Sequence, residues 1–424
     1  MARSTSMKPT TATSAVEFLI ALLIAASAIA LLAKRFRIPY TIALMVGGLI
    51  LSWFRLPQLS PLDPSQRPDW LTPEVILILF LPALVFEGSL KLNIRDLLRD
   101  SVPLLLLANV GVLLAAAVTG YLVHLVTGIP LLITLLFGAV ISATDPISVL
   151  AIFKDLNMDK RLSVIVQGES LMNDGTAAAL FQILVAGILA GSLGLAKGIG
   201  QFALAVAGGA ILGAALGYLA SRITGTIDDP QIEITLTTIV AYGSYLLANQ
   251  LRMSGIIATA AAGLMVGNLG AKQSMSAQTR TALESFWGYL AFAMNSLIFL
   301  LIGLEVHFDT LARSWRAVLI SIVAVLIGRA FSVYLLVPIS NLFAQRIPLG
   351  WQHVIVWGGL RGALALALAL SLDSKFPARG IVLDITFGVV IFSILIQGLT
   401  IKPLLRVLRL ADVPKVEESL VAHH

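Results

Sequence analysis

The sequence predicts an all-α polytopic membrane protein of about thirteen transmembrane helices, from its composition and from the length of its apolar runs. Apolar residues make up 58% of the 424 residues and charged residues 12%, which is about half the charged share of soluble domains. Runs long enough to cross a hydrocarbon core of roughly 30 Å recur along almost the whole chain. They cover residues 15–33, 39–54, 71–90, 102–126, 130–153, 162–190, 197–220, 231–250, 253–269, 281–305, 314–341, 349–371 and 383–405.

The first run permits two interpretations. Residues 15–33 precede the basic segment Lys34-Arg35-Phe36-Arg37, as in a cleaved signal peptide or in a retained first helix. Because the run is longer than the roughly 7–15 residues of a signal core, the retained helix is favoured. Farther along, residues 55–70 contain four prolines and predict a stiff external loop, and no connector is long enough to hold a soluble domain.

Basic residues in the predicted loops indicate the orientation of the chain. With the N-terminus outside, the inside loops and the C-terminal tail hold 17 of the 29 Lys and Arg residues, and the outside segments hold 10. The positive-inside rule therefore predicts an outside N-terminus and a cytoplasmic C-terminus in the cell (plasma or inner) membrane. Because the basic residues lie in short membrane loops, the net charge of +6 does not predict nucleic-acid binding. The absence of cysteine excludes disulfides, thiol catalysis and cysteine metal sites.

A scan of the predicted spans for ionisable residues leaves a short list of six candidates. A charge at mid-bilayer is costly unless it has a partner or lines a water-filled cavity. Each residue alone could belong to a structural ion pair, but six in one chain favour an ion or proton pathway. Glu74, Glu233 and Glu284 lie near span ends, where we expect them to reach the interface. The six are Glu87, Asp145, Glu169, Asp174, Arg329 and Arg361.

The segment "GESLMNDG", residues 168–175, clusters polar groups inside an otherwise apolar run. On a helix, Ser170 and Asp174 are four residues apart and share one face, while Glu169 and Asn173 share the next face. This spacing predicts one polar side that contributes to a site.

The segment "SATDP", residues 142–146, predicts a broken helix. Pro146 has no N–H, and its ring clashes with a carbonyl one turn earlier, so that carbonyl is released. In a membrane, a broken helix is tolerated where it lines a cavity, and its carbonyls can then bind cations. A simple proline kink is the alternative. However, Asp145 lies about 12 Å from the predicted cytoplasmic loop 154–161 and Asp174 roughly 20 Å from it, so both lie near the middle of the membrane. This similar depth favours a shared site over a simple kink.

A second break is predicted at "WGGLRG", residues 357–362, because each glycine weakens a helix by up to about 1 kcal/mol. The two broken runs are the fifth and the twelfth, and this odd offset reverses their orientation. Runs one to six and eight to thirteen therefore predict an inverted repeat with two crossed broken helices, as in secondary transporters. The seventh run is then a linker, whose Gly209, Gly213 and Gly217 predict close helix packing.

The two buried arginines need partners, because a guanidinium cannot deprotonate. Arg329 lies near the estimated depth of Glu169, so we predict an ion pair between them. Asp174 is then the carboxylate that is free to titrate. We expect Arg361 to compensate the negative ends of the broken helices, as cations do at helix C-termini.

Five segments of the chain resemble motifs of the monovalent cation:proton antiporter family, the NhaP/NHE-type sodium/proton antiporters. The resemblance covers roughly residues 35–405 and implies an NhaA/NhaP-like fold of thirteen helices in a homodimer, in which a mobile core moves against a dimerisation domain. The segments are "FLPALVFEGSL", "SATDPISVLAIF", "GESLMNDGTAAAL", "WGGLRGA" and "IQGLTIKPL".

The resemblance also implies which residues form the ion site. It matches the Asn-Asp pair of the family to Asn173 and Asp174, and its buried ion pair to Glu169 and Arg329. The further matching positions are Thr144 and Asp145 at the first broken helix, Ser170, and Glu87.

These features predict a transporter and not an enzyme, with electroneutral sodium/proton exchange by alternating access. One carboxylate, Asp174, would carry a proton or a cation in turn, and Asn173 in place of a second acid predicts one cation per proton. Sodium suits ligation by oxygens of Asp174, Ser170, Thr144 and water. The sequence does not exclude lithium or potassium as the transported ion, and a potassium-preferring exchanger is the alternative function. No cofactor is expected, and the expected partners are monovalent cations, protons, the lipid bilayer and a second copy of the chain.

Other transport classes fit the sequence less well. A cation channel would need a continuous pore with several weak sites, whereas the chain has one deep titratable cluster. An organic-acid symporter would use Arg329 or Arg361 to bind a carboxylate, but Asp174 and Glu169 beside the site disfavour anions. A sensor role has no supporting domain.

The domain prediction treats 1–424 as one membrane transporter unit. Its scaffold or dimerisation helices and its ion-transporting core each come from two segments, and residues 102–126 could belong to either. The approximate ranges are 15–126 and 197–305 for the scaffold, 130–190 and 314–405 for the core, and 406–424 for a short cytoplasmic tail.

Overall fold

The computed structural model describes residues 11–36, 39–54, 73–191, 194–304, 308–373 and 375–410, which are helical and contain no strand. The all-α class is therefore confirmed. The predicted loop 55–70 and most of the predicted tail lie outside these ranges. The helices are α1 (Thr11–Phe36), α2 (Tyr40–Phe54), α3 (Pro73–Leu90), α4 (Ile94–Arg99), α5 (Ser101–Thr127), α6 (Leu131–Ser142), α7 (Ile147–Asp155), α8 (Lys160–Leu189), α9 (Gly198–Thr224), α10 (Pro230–Gln250), α11 (Gly255–Met265), α12 (Ala277–Leu304), α13 (Phe308–Arg313), α14 (Trp315–Ser340), α15 (Leu349–Trp357), α16 (Ala363–Leu370) and α17 (Arg379–Val407).

The helices agree with a multi-pass membrane protein. In the described part of the chain, eight helical stretches are long and apolar enough to cross a membrane, and shorter apolar helices lie in α2, α3 and α11. Each of the predicted apolar runs contains a described helix. The number of thirteen spans itself stays a prediction.

Local sequence explains where several helices begin and end. Asp159 precedes α8 and accepts a hydrogen bond from the Arg161 N–H at 2.7 Å. Asp229 caps α10 in the same way. Pro230 follows it in the first turn, where a backbone N–H would have no partner within the helix, so the missing N–H of proline costs no hydrogen bond. Gly128 ends α5 at a φ of 71°, a conformation that glycine adopts without strain.

Two helices are broken, and the breaks cross. Residues 143–146 separate α6 from α7, and residues 358–362 separate α15 from α16. The Asp145 N–H donates to the Leu360 carbonyl at 2.7 Å, which joins the two non-helical segments. A Cβ on Gly362 would lie 2.4 Å from the Asp145 Cβ, so the crossing requires glycine there. The predicted pair of crossed broken helices is confirmed.

Helix α5 packs between α6 and α14 through small residues. A Cβ on Gly138 of α6 would lie 2.3 Å from the Ala116 carbonyl oxygen of α5, and one on Gly328 of α14 would lie 2.5 Å from the Thr119 hydroxyl oxygen. The Thr119 hydroxyl also donates to the Ala324 carbonyl at 3.4 Å. Residues 102–126 therefore contact both halves of the predicted core.

The three spaced glycines of α9 lie against α11, as the sequence predicts. A Cβ on Gly209 would lie 2.7 Å from the Ser254 carbonyl oxygen, and one on Gly217 would lie 2.6 Å from that of Ala262. At Gly213 the corresponding distance to the Ala258 carbonyl oxygen is 1.9 Å. The close packing of the linker helix is confirmed.

One sequence expectation about a charged residue is wrong. The sequence predicts Glu233 at the interface, but this residue lies in the first turn of α10 with 0% exposure, beside Thr279 of α12. Distance from the end of an apolar run measures depth along one helix, and it does not tell which neighbouring helix covers that turn. Glu284, in contrast, is exposed and pairs with Arg280 at 3.1 Å.

We predict that Gly213→Ala destabilises the protein although alanine is the better helix former. The added methyl group overlaps the Ala258 carbonyl and must push α9 from α11, which should lower the free energy of unfolding by about 1–3 kcal/mol. Gly243→Ala is the matched control, because a Cβ there meets no atom within 4 Å. Thermal unfolding midpoints in detergent measure both variants, and equal midpoints would contradict the prediction.

Candidate functional site

The site is built around the crossing of the two breaks, where Arg361 binds the end of α6. Its guanidinium Nη1 donates to the carbonyls of Ser142 and Ala143 at 3.0 and 3.3 Å, and the side chain is buried. The last carbonyls of a helix have no partner within the helix and carry its negative dipole end. The Arg361 N–H donates to the Ser393 hydroxyl of α17 at 2.7 Å. The guanidinium thus lies where the sequence predicts a compensating cation.

Helix α8 is tied to the first break by Asn173. Its Oδ1 accepts the Thr144 N–H at 3.2 Å, and its Nδ2 donates to the Thr144 hydroxyl at 2.7 Å and to the Glu169 Oε1 at 3.2 Å. The Ser170 hydroxyl donates to the Thr144 carbonyl. These bonds satisfy backbone groups that the broken helix cannot satisfy itself.

Glu169 and Arg329 form a buried bidentate ion pair between α8 and α14. The Arg329 Nη1 and Nη2 donate to the two carboxylate oxygens at 2.6 and 2.8 Å, and the side chains are 8% and 3% exposed for Arg329 and Glu169. Nη2 also donates to the Ile355 carbonyl of α15 at 3.0 Å. The two charges of this pair are therefore neutralised by each other.

Asp174 differs from the other charged residues of the site. Among the described residues, no hydrogen bond or ion pair engages its carboxylate. It lines a cavity of about 510 Å³ that also contains Thr144, Asp145 and Ser170. Asp145 is partly engaged, because its Oδ1 accepts the Ile147 N–H at 2.9 Å at the start of α7. Asp174 is thus an acid with access to the cavity and no described partner.

Glu87 shares this cavity but lies apart from the crossing. It belongs to the last turn of α3, and its carboxylate accepts a hydrogen bond from Lys91. No described contact joins it to Asp174, Ser170 or Thr144. The structure therefore brings the other predicted site residues together at the crossing, and Glu87 joins them only through the cavity.

Several residues around the site were missed at the sequence level because they carry no charge. Ser393 accepts the Arg361 N–H, and Gln397 donates to the Trp357 carbonyl at 3.1 Å. Tyr40 and Asn295 line the cavity from α2 and α12. A scan for polar as well as ionisable residues within apolar runs would have found Ser393, Gln397 and Asn295.

Comparison with known proteins gives consistent matches over most of the chain. The family model described as "Sodium/hydrogen exchanger, transmembrane" matches residues 19–407. The chain is 42% identical over 388 residues to the Na(+)/H(+) antiporter NhaG of Bacillus atrophaeus, covering 90% of this chain and 72% of that protein. It is 38% identical over 395 residues to the Na(+)/H(+) antiporter NhaH of Halobacillus dabanensis, covering 92% and 97%.

The fold is similar to that of a solved antiporter structure. The sodium proton antiporter MjNhaP1 from Methanocaldococcus jannaschii, solved at pH 8, superimposes with a TM-score of 0.78. The match covers 95% of this chain and 100% of that one at 19% sequence identity. At this identity the likeness supports the fold and not the details of a site.

We predict that Glu169→Gln strongly destabilises the protein, because it leaves Arg329 as a buried charge without its counter-ion. Loss of one partner of a buried pair costs about 3–5 kcal/mol, whereas loss of an exposed pair costs about 0–1 kcal/mol. The exposed pair of Arg280 and Glu284 provides the control, Glu284→Gln.

Thermal unfolding and the recovery of monodisperse protein in detergent measure this difference. The double variant Glu169→Gln/Arg329→Met should regain part of the lost stability, since no lone charge then stays buried. A Glu169→Gln protein as stable as Glu284→Gln, with an altered cation preference, would refute a structural role for the pair.

Proposed function

Because the chain belongs to the sodium/hydrogen exchanger family, we propose that it exchanges sodium ions for protons across the cell membrane. The observation that carries this proposal is Asp174, which lines the cavity at the crossing without a described partner. Glu169 and Arg329 neutralise each other, and Arg361 binds helix carbonyls. Asp174 is therefore the acid available to take up either a proton or a cation.

The proposed mechanism uses this one carboxylate for both ions. Taking an unpaired charge away from water is costly, so a carboxylate within the membrane is stable when it holds a proton or a cation. The two ions compete for Asp174, and a site loaded with either one can change its access from one side to the other. An empty, anionic site is disfavoured in the low-dielectric interior of the membrane, so the site does not change its access while it is empty. Proton and cation are therefore carried in alternation, and the result is exchange.

Position 173 bears on the stoichiometry. Asn173 is neutral, and its amide is held by Thr144 and Glu169. One titrating acid predicts one cation per proton and hence electroneutral transport.

The oxygens around Asp174 suit a small monovalent cation. The Ser170 hydroxyl donates to the Thr144 carbonyl, yet each of these oxygens keeps a lone pair for a cation. With the carboxylate, Asp145 nearby and water, they form an oxygen-only set of the type that binds alkali ions. Lithium as a further substrate and a potassium-preferring exchanger are the alternatives within this mechanism, and a cation channel is the alternative outside it.

We further propose that residues 130–190 and 314–405 move as a core against a homodimeric scaffold from 15–126 and 197–305, and that 102–126 belongs to the core and not to the scaffold. The contacts of α5 with α6 and α14 support assigning 102–126 to the moving part. The cavity extends from Asp174 to two lysines in the loops that the sequence predicts to be cytoplasmic. With an outside N-terminus, this state is open to the cytoplasm.

Transport by purified protein in liposomes tests the proposal. Sodium, lithium or potassium gradients are imposed across a pH series, and proton movement is followed with an internal dye while a permeant ion clamps the voltage. Exchange requires proton flux that depends on the cation gradient and generates no potential. A current that flows without coupled protons would identify a channel.

We predict that Asp174→Asn abolishes exchange while the protein stays folded. An amide can neither release a proton nor neutralise a cation, and its desolvation costs less than that of a carboxylate. Equal or higher thermal stability in detergent, with no cation-driven proton flux, is the expected result. Substantial exchange by this variant would overturn the single-carboxylate mechanism.

We predict that Asn173→Asp shifts the pH dependence of exchange and weakens the site. The new carboxylate would face Glu169 Oε1, which the Asn173 amide contacts at 3.2 Å, and would lie beside Asp174 in the sequence. Adjacent carboxylates resist joint ionisation, so the titration should divide into two steps. Initial rates across pH measure the shift, and a profile identical to the wild type would contradict it.

A further inference from the structure

The cavity that leads to Asp174 has two lysines among its lining residues. Lys91 follows the end of α3, and Lys154 lies in the last turn of α7. A positive charge repels an approaching cation, so lysines are unexpected on the route of a cation substrate. The two lysines differ in what they contact.

Lys91 contacts an acid of the same cavity. Its ammonium group pairs with the carboxylate of Glu87, four residues earlier, in the orientation that favours helical pairs. The Glu87 side chain is 17% exposed and the Lys91 side chain 53% exposed. The carboxylate is therefore held inside the cavity, while the lysine has solvent into which it can withdraw.

The last turn of α3 is joined to the helix that carries Asp174. The Gln167 side-chain amide of α8 donates to the Gly88 carbonyl at 3.1 Å, and Gln167 lines the same cavity. This bond holds Glu87 on the wall of the cation route. By contrast, Lys154 forms no ion pair with a described residue.

We propose that Lys91 is a tethered competitor of the transported cation, and that an entering monovalent cation displaces its ammonium group from Glu87. The inference rests on the proposed cation exchange. The Lys91 ammonium group and the entering cation each carry one positive charge, so Glu87 keeps a counter-ion throughout. The cation therefore binds by displacing the ammonium group and not by adding to a free carboxylate. Lys91 then sets the cation concentration at which the exchanger becomes saturated.

A simpler account is that Lys91 is present only because basic residues accumulate in cytoplasmic loops. On that account Lys91 and Lys154 act alike, through the local potential, and salt screens both. Direct competition for Glu87 is a short-range contact that salt screens much less. Lys154 therefore provides a matched control in the same cavity.

The experiment compares Lys91→Met, Lys91→Arg and Lys154→Met in proteoliposomes. The sodium concentration for half-maximal proton movement is measured at low ionic strength and with added choline chloride. Lys91→Met should lower this concentration by about two- to fivefold at both ionic strengths, with the maximal rate retained, as expected for loss of a weak ion pair. Lys91→Arg should resemble the wild type, and any change in Lys154→Met should disappear with salt.

Equal changes in the two methionine variants that disappear with salt, or no change in Lys91→Met, would overturn the inference. In either case wild-type exchange and its loss in Asp174→Asn would leave the proposed function intact. Absence of exchange in the wild type would overturn both. Thermal unfolding of Lys91→Met verifies that the variant is folded.

Discussion

The structure depends on one constraint: non-helical backbone within an apolar membrane must find its hydrogen-bond partners inside the protein. Two helices are interrupted at the same place, and each interruption supplies partners to the other. The Asp145 N–H binds the Leu360 carbonyl, and the Arg361 guanidinium binds the carbonyls that end α6. The N–H and the carbonyl of Thr144 in the first break bind α8 through Asn173 and Ser170. The crossing is stable only as a unit of these elements.

This unit also determines which acid stays available. Glu169 is close to Asn173 and would be a second free carboxylate at the crossing, but Arg329 neutralises it with two hydrogen bonds. Arg329 in turn binds the Ile355 carbonyl near the second break. Asp174 lies next to Asn173 in the chain, faces the cavity and has no such partner among the described residues. The structural role proposed for Glu169 and the transport role proposed for Asp174 thus fall to acids only a few residues apart.

Much of this arrangement could be predicted from the sequence because it rests on strong local signals. Pro146 removes a donor, the glycines of residues 357–362 weaken a helix, and a charge within an apolar run needs a reason. These rules identify the two breaks and the charged residues. The depth of Arg329 along its run was enough to suggest Glu169 as its partner, since few acids lie at that depth.

The remaining features depend on which helices are neighbours, and a single sequence does not contain that information. Ser393 binds the Arg361 N–H only because α17 packs beside the second break. Glu233 is buried because α12 covers the first turn of α10, although its position in the chain suggests the interface. Similarly, the contact of Lys91 with Glu87 follows from helical spacing, but its place in the cavity does not.

The location of the polar bonds has a consequence for motion. All the site bonds of Thr144, Asn173, Glu169, Arg329 and Arg361 described above lie within or between residues 130–190 and 314–405. Contacts from these segments to the rest of the chain include neutral ones, such as Thr41 with Ser148 at 2.5 Å, and extensive apolar packing. The exposed pair of Lys160 with Asp96 also crosses this boundary and can separate at little cost. The buried pair of Arg161 with Asp100, at 2.6 Å, need not separate, because Asp100 directly precedes α5, which we propose to move with the core. Apolar contacts are non-directional and can re-form in a new register, whereas a buried ion pair cannot separate without a large cost. Alternating access in such a protein would therefore shift the apolar surfaces and carry the charged crossing along intact.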